Sequence, residues 1–234
     1  MSTMNLNGVS RPDNQSKNRV THLSFVRSIM LIARREFRDA LSSKWFLLYT
    51  IAFTTLAIGV SFLSLAGSGE HGFAGFGKTA AGLLNLIMLV VPLMALTAGA
   101  GTIAGERERG TLLYLLAQPL SRTELLLGKY VGLAIALICS LCIGFGLSAG
   151  LLAWRAGGVG AGSFLMLVVF ASVLALSMLS LGVLISVQSR RVGVATGISL
   201  FVWLGLVFLS DLGLMAGTVL FKLRVQEVFA HGLI

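Results

Sequence analysis

The sequence predicts an all-α polytopic membrane protein with five transmembrane helices, and three features of the chain carry that prediction. Its 234 residues have a mean hydropathy of +0.91, with 56% hydrophobic and only 12% charged residues, whereas soluble domains carry about a quarter charged. Five apolar runs are each long enough to cross the hydrocarbon layer, which takes about 20 residues as a helix. The basic residues behind the net charge of +9 sit at the ends of these runs. They do not interleave with aromatics as on a nucleic-acid surface, so nucleic acid is not an expected partner and the charge reads as a topology signal.

Residues 1–22 are polar, with Gly8, Pro12 and several Asn and Ser, and predict a disordered cytosolic tail. They contain no apolar core of a cleavable secretory signal. From Leu23 to Lys44, Val26, Ile29, Met30, Ala33, Phe37 and Leu41 recur at helical spacing, and Arg27, Arg34, Arg35 and Arg38 give a basic side. That pattern predicts an amphipathic helix lying in the headgroup layer. A helix packed on a soluble partner is the alternative.

Trp45 to Ala66 is the first span, introduced by Lys44 and an interfacial tryptophan. Gly67 to Lys78 reads as a glycine-rich connection. Within it, Gly72 to Thr79 (GFAGFGKT) satisfies the phosphate-loop pattern G-x-x-x-x-G-K-T. A working phosphate loop follows a buried strand and opens a soluble helix. Here one membrane run precedes the pattern and another follows, so it predicts no nucleotide site. Ala81 to Ala104 is the second span. Pro92 removes one of its backbone donors and predicts a kink, and Gly101 with Gly105 predicts a small-residue face for close helix contact.

The longest polar interruption is Gly105 to Tyr130, GERERGTLLYLLAQPLSRTELLLGKY. Four alternating charges, Glu106 to Arg109, are followed by a short apolar helix from Thr111 to Ala117 and then by Pro119, which has no amide to donate. Ser121 and Glu124 have capping-box spacing, so the next helix should start at Ser121. Leu125 to Ala153 is the third span, with Gly128/Gly132 and Gly146/Gly150 repeating the small-residue spacing. Ser163 to Val187 is the fourth span, Gln188 to Arg191 a tight basic turn, and Val192 to Leu220 the fifth span. Pattern alone leaves the charged interruption open between a solvated loop and a surface for a cytosolic partner.

At this interruption the chain is similar to a known family. Gly105-Glu106-Arg107-Glu108, Gly110-Thr111-Leu112, Gln118 to Arg122 and Leu127 to Tyr130 resemble the first cytoplasmic loop of type-2 ABC transporter permeases. Within that class the resemblance is closest to the permeases of nitrous-oxide-reductase maturation transporters. It takes in Gly72-Phe73, Thr79-Ala80 and Asp211, and runs from about Ala33 onward. The resemblance implies a dimeric membrane subunit, a homodimer by expectation, driven by a separate cytosolic ATPase that binds the ATP. No cofactor belongs to the chain itself, and a periplasmic accessory protein is a further implied partner. It also implies that the segment before the first span is an interfacial elbow helix in contact with membrane lipid. The loop becomes a coupling helix docking on the ATPase, with Glu106, Arg107, Glu108, Thr111, Tyr114 and Leu115 as its contact residues.

Fourteen of the eighteen Lys and Arg fall on one side of the five spans: those before the first span, in the second loop and in the fourth. The positive-inside rule then places the N-terminus and the charged loop in the cytosol of a cell with this protein in its inner membrane. The resembled family has six spans, and this sequence ends after five. A missing sixth span, and a permease domain over 23–234 cut short at its C-terminus, is therefore expected.

Asp211 is the acidic residue set deepest in an apolar run. It predicts either a bundle-facing polar site or a position near the outer interface. Cys139 and Cys142 have C-x-x-C spacing but no neighbouring histidine or second pair, and read as apolar filling. The span methionines Met88, Met94, Met166, Met178 and Met215 do not cluster as a soft-metal relay would. No span carries paired catalytic residues, so the chain is not expected to be an enzyme. The function predicted is a permease moving an unidentified substrate with ATP hydrolysed elsewhere. A non-transporting anchor or sensor of similar fold is the alternative.

Overall fold

The computed structural model describes residues 14–67, 73–111, 121–156 and 161–231. Among them the chain forms six α-helices: α1 Asn14–Ser42, α2 Lys44–Gly67, α3 Phe73–Glu108, α4 Arg122–Ala156, α5 Ala161–Gln188 and α6 Val192–His231. Helices α2 to α6 are each long and apolar enough to cross a membrane. The five-span, all-α architecture is therefore as the hydropathy predicts. Only a helix satisfies all its backbone polar groups within one segment, so each apolar run takes that form.

Three boundaries differ from the sequence reading. Helix α1 starts at Asn14, upstream of Leu23 where the apolar periodicity begins; the tail segment 1–13 lies outside the described residues. Helix α3 starts at Phe73, so most of the GFAGFGKT pattern lies within the first turns of a helix rather than in a loop. A segment entering the membrane must satisfy its own amides, and that requirement outweighs the roughly 1 kcal/mol each glycine costs in a helix. Helix α3 also runs on through Pro92 to Glu108, where a charged loop was expected from Gly105. Its breaker is Gly110, whose φ of 73° suits a residue without a Cβ and turns the chain out of the helix.

Helix α3 is the centre of the bundle and packs on α5, α6 and α2, while α1 lies along α4. One core cluster joins Phe53, Leu83, Val91, Phe145 and Phe164. Phe145 stands edge-on to both Phe53 and Phe164, with ring centroids 5.2 and 6.0 Å apart, an arrangement that adds about 1 kcal/mol per pair beyond area burial. A second cluster, around Phe46, Met94, Leu137, Leu179 and Val183, reaches α1 through Ala40. Outward-facing apolar side chains are abundant, as on Phe201 at 78% exposure. Facing lipid rather than water, they need no protein cover, and close van der Waals packing rather than apolar burial holds the helices together.

That packing depends on glycine at specific places. A Cβ on Gly182 of α5 would lie 2.5 Å from the Leu96 carbonyl oxygen, and one on Gly99 of α3 would lie 2.8 Å from the Val183 nitrogen. Gly128 and Gly132 of α4 are likewise closed against Ile32 and Ala33 of α1. The Gly128/Gly132 pair is thus a contact face, as predicted. Gly101 is not: a Cβ there meets nothing within 4 Å, and α3 makes its close approach two residues earlier.

Candidate functional site

The charged end of α3 gathers four other helices round it. Because α3 stays helical to Glu108, successive side chains leave it about 100° apart, and Glu106 faces a different surface from Arg107 and Glu108. Glu106 turns inward. Its Oε1 lies 2.8 Å from the Nζ of Lys129 on α4, and the same ammonium lies 2.9 Å from Oε2 of Glu36 on α1. The Lys129 side chain is 5% exposed and each carboxylate 18%. Two carboxylates thus share one buried ammonium, about 10 Å along α4 from its start. Removing the lysine alone would leave two facing carboxylates, a kind of change that costs on the order of 3–5 kcal/mol.

Arg107 points to the turn between α5 and α6. Its Nη1 donates to the carbonyl oxygens of Ser189 at 2.7 Å and Val187 at 3.2 Å, at and just past the end of α5, where carbonyls lack helical partners. Glu108 meets the other side of the same turn, its Oε2 accepting from the Val192 amide at 2.9 Å. A carboxylate at a helix N-terminus satisfies an orphan donor and complements the helix dipole. Just below, Ser186 Oγ of α5 accepts from the Ile103 and Ala104 amides of α3, both at 2.9 Å. Thr111 Oγ1 donates to the Glu106 carbonyl at 3.3 Å. Tyr114 and Leu115, with most of the predicted coupling segment, lie outside the described residues.

Past that segment, α4 opens with the predicted capping box. Ser121 N donates to Glu124 Oε2 at 2.9 Å, and Glu124 N to Ser121 Oγ at 3.2 Å. Beside the ion cluster is a cavity of about 910 Å³, lined by Glu36, Lys129, Thr97, Thr102, Trp45 and Tyr49 among others. Asp211, the other predicted residue, is away from this site. It is exposed on α6 and has no hydrogen bond or ion pair among the described residues. Cys139 and Cys142 are free thiols on α4. Among the described residues no group of three or more His, Cys, Asp or Glu side chains is placed to hold a metal.

The structure therefore brings Glu106, Arg107, Glu108 and Thr111 to one place, but turns the first three onto the chain itself. The sequence reading missed Lys129 and Glu36. The available signal was a lysine seven residues into an apolar helix, which is stable there only with carboxylate partners.

The ABC-2 family transporter protein model matches residues 30–227. A probable ABC transporter permease protein NosY of Stutzerimonas stutzeri is 36% identical over 193 residues, covering 81% of this chain and 70% of that protein. The protein of the same name in Pseudomonas aeruginosa is 34% identical over 196 residues, covering 82% and 71%.

Proposed function

The chain belongs to the ABC-2 family of transporter proteins, and from that premise we propose that, as a permease subunit, it moves a substrate across the cytoplasmic membrane with ATP hydrolysed by a separate subunit. The observation that carries the proposal is the charged end of α3, which ties α1, α4 and the α5–α6 turn to one connection. A force applied to that connection reaches every one of those helices at once.

On this reading the side bearing most Lys and Arg is cytosolic, α1 lies as the elbow helix in the headgroup layer, and the connection that follows Glu108 meets the ATPase. Val26, Met30 and Leu31 of α1 are exposed beside Arg27, Arg34 and Arg38, which suits a helix half in lipid. Tyr114 and Leu115 supply the docking contacts. Glu106, Arg107 and Glu108 act one step behind them, fixing the helix from which the docking segment springs. A second copy of the chain completes the pathway, and closure of two ATPase subunits rocks the two bundles between inward- and outward-open states. Residues 23–234 form the permease domain, and a periplasmic accessory protein receives or delivers the cargo.

Co-expression of this chain with an ABC ATPase subunit, followed by purification into lipid vesicles, tests the proposal. The ATPase should co-purify and its hydrolysis should rise on assembly. Replacing Tyr114 and Leu115 together by Ala should reduce both without lowering the amount of inserted permease. An ATPase neither retained nor stimulated by the unmodified chain would overturn the reading.

A further inference from the structure

We infer that Lys129 is a positioning residue for transport: its ammonium locks α1 to the end of α3, so that displacement of the α3–α4 connection is carried to the interfacial helix. This inference rests on the permease reading above. Its geometry is the shared ammonium, 2.9 Å from Glu36 on α1 and 2.8 Å from Glu106 on α3.

The surrounding packing makes that link informative. Helix α4 passes close to α1, with Gly128 and Gly132 against Ile32 and Ala33 and no room for a Cβ. Helix α3 is held close to α5, where Gly99 and Gly182 meet and Ser186 takes two α3 amides. Arg107 and Glu108 then extend this second block to the start of α6. The bundle's end thus has two closely packed pairs, α1 with α4 and α3 with α5, and α3 touches α4 sparingly. Lys129 is the charged link between the pairs. The neighbouring Tyr130 is an uncharged one, its hydroxyl donating to the Leu176 carbonyl and accepting from Ser180. The cavity beside the cluster is also lined by Trp45 and Tyr49 of α2 and by Val192 and Thr196 of α6.

The decisive variant is Glu36→Leu, tested on the full chain assembled with its ATPase in vesicles. It cuts α1 out of the cluster, leaves Lys129 and Glu106 as a balanced pair, and does not touch the docking segment. The inserted amount and thermal unfolding should stay near those of the unmodified chain, while stimulation of ATP hydrolysis falls by about tenfold, within the usual range for coupling between sites. Glu36→Gln, which keeps an acceptor for Lys129, should restore most of the stimulation. A role in folding alone would move stability and stimulation together and would overturn the inference.

A second measurement does not depend on that variant folding. Spin labels at positions 34 and 109, with Cys139 and Cys142 replaced by Ser, report the distance between α1 and the end of α3. The separation should hold between nucleotide-free and nucleotide-trapped complexes. A change of about 5 Å, one helical turn, would show the clamp opening and overturn the inference. If the unmodified chain fails to stimulate the ATPase, the permease reading itself falls. If it succeeds and Glu36→Leu is silent, only the clamp falls.

Discussion

Gly182 of α5 lies so close to Gly99 of α3 that a Cβ added to Gly182 would stand 3.1 Å from the Gly99 Cα. Backbones this near gain dispersion along the whole crossing and bring Ser186 into reach of the α3 amides. Gly182→Ala should therefore force the two helices apart and destabilise the bundle by about 1–3 kcal/mol, the usual cost of overpacking. Gly101→Ala, where the Cβ meets open space, is the control and should match or slightly exceed the parent in helix stability. Thermal unfolding in detergent compares the two, and equal loss in both would refute the close-approach account.

The capping box at the start of α4 gives a local prediction. Ser121→Ala should cost about 1 kcal/mol and speed amide exchange over residues 122–126, with no effect on membrane insertion. Ser121→Asp, which keeps an acceptor for the Glu124 amide, should retain most of the protection.

The first of these relationships was hidden in the sequence and the second was plain in it. A capping box is a local pattern with both partners three residues apart, so reading along the chain finds it. The spans were legible for the same reason, since length and apolarity are local properties. The α3–α5 contact was not legible. Gly99 belongs to a stretch with Gly101 and Gly105, and spacing cannot say which of the three meets another helix. The direction of Glu106 was also hidden. Its alternating neighbours suggested a solvated or docking loop, yet a helix that runs on to Glu108 turns Glu106 inward to Lys129 and sends Arg107 and Glu108 to the α5–α6 turn. Glu36 and Lys129 stand 93 residues apart, and nothing local in the sequence pairs them.

Arg107 makes a separable contribution. Arg107→Ala should free the Val187 and Ser189 carbonyls and loosen the α5–α6 turn by about 1 kcal/mol, the net worth of a partly exposed hydrogen bond. Arg107→Lys should recover only part, because one ammonium cannot reproduce the planar fork. Hydrogen exchange over residues 186–195 reads the difference, and equal protection in all three proteins would remove Arg107 from the turn.

The orientation in the membrane follows from the Lys and Arg asymmetry and has its own test. In a background with Cys139 and Cys142 replaced by Ser, single cysteines at Ser68 and Gly158 should react with an impermeant thiol reagent added to intact cells. Cysteines at Ser121 and Arg190 should react only after permeabilisation. Labelling of Ser121 with protection of Gly158 would invert the orientation.

The interlock of α3 with α5 also has a consequence for how the protein is made. Ile103 and the Ser186 that accepts its amide are 83 residues apart, so at about 5–20 residues per second of synthesis α3 leaves the ribosome roughly 4–17 s before its main partner exists. During that interval the glycine face of α3 has only α2, and then α4, against which to rest. The nascent chain therefore waits in the membrane with its central helix half-assembled, and the arrival of α5 closes the bundle. A slowed α5, rather than a slowed α2, is the point in synthesis at which this protein is most open to misassembly and degradation.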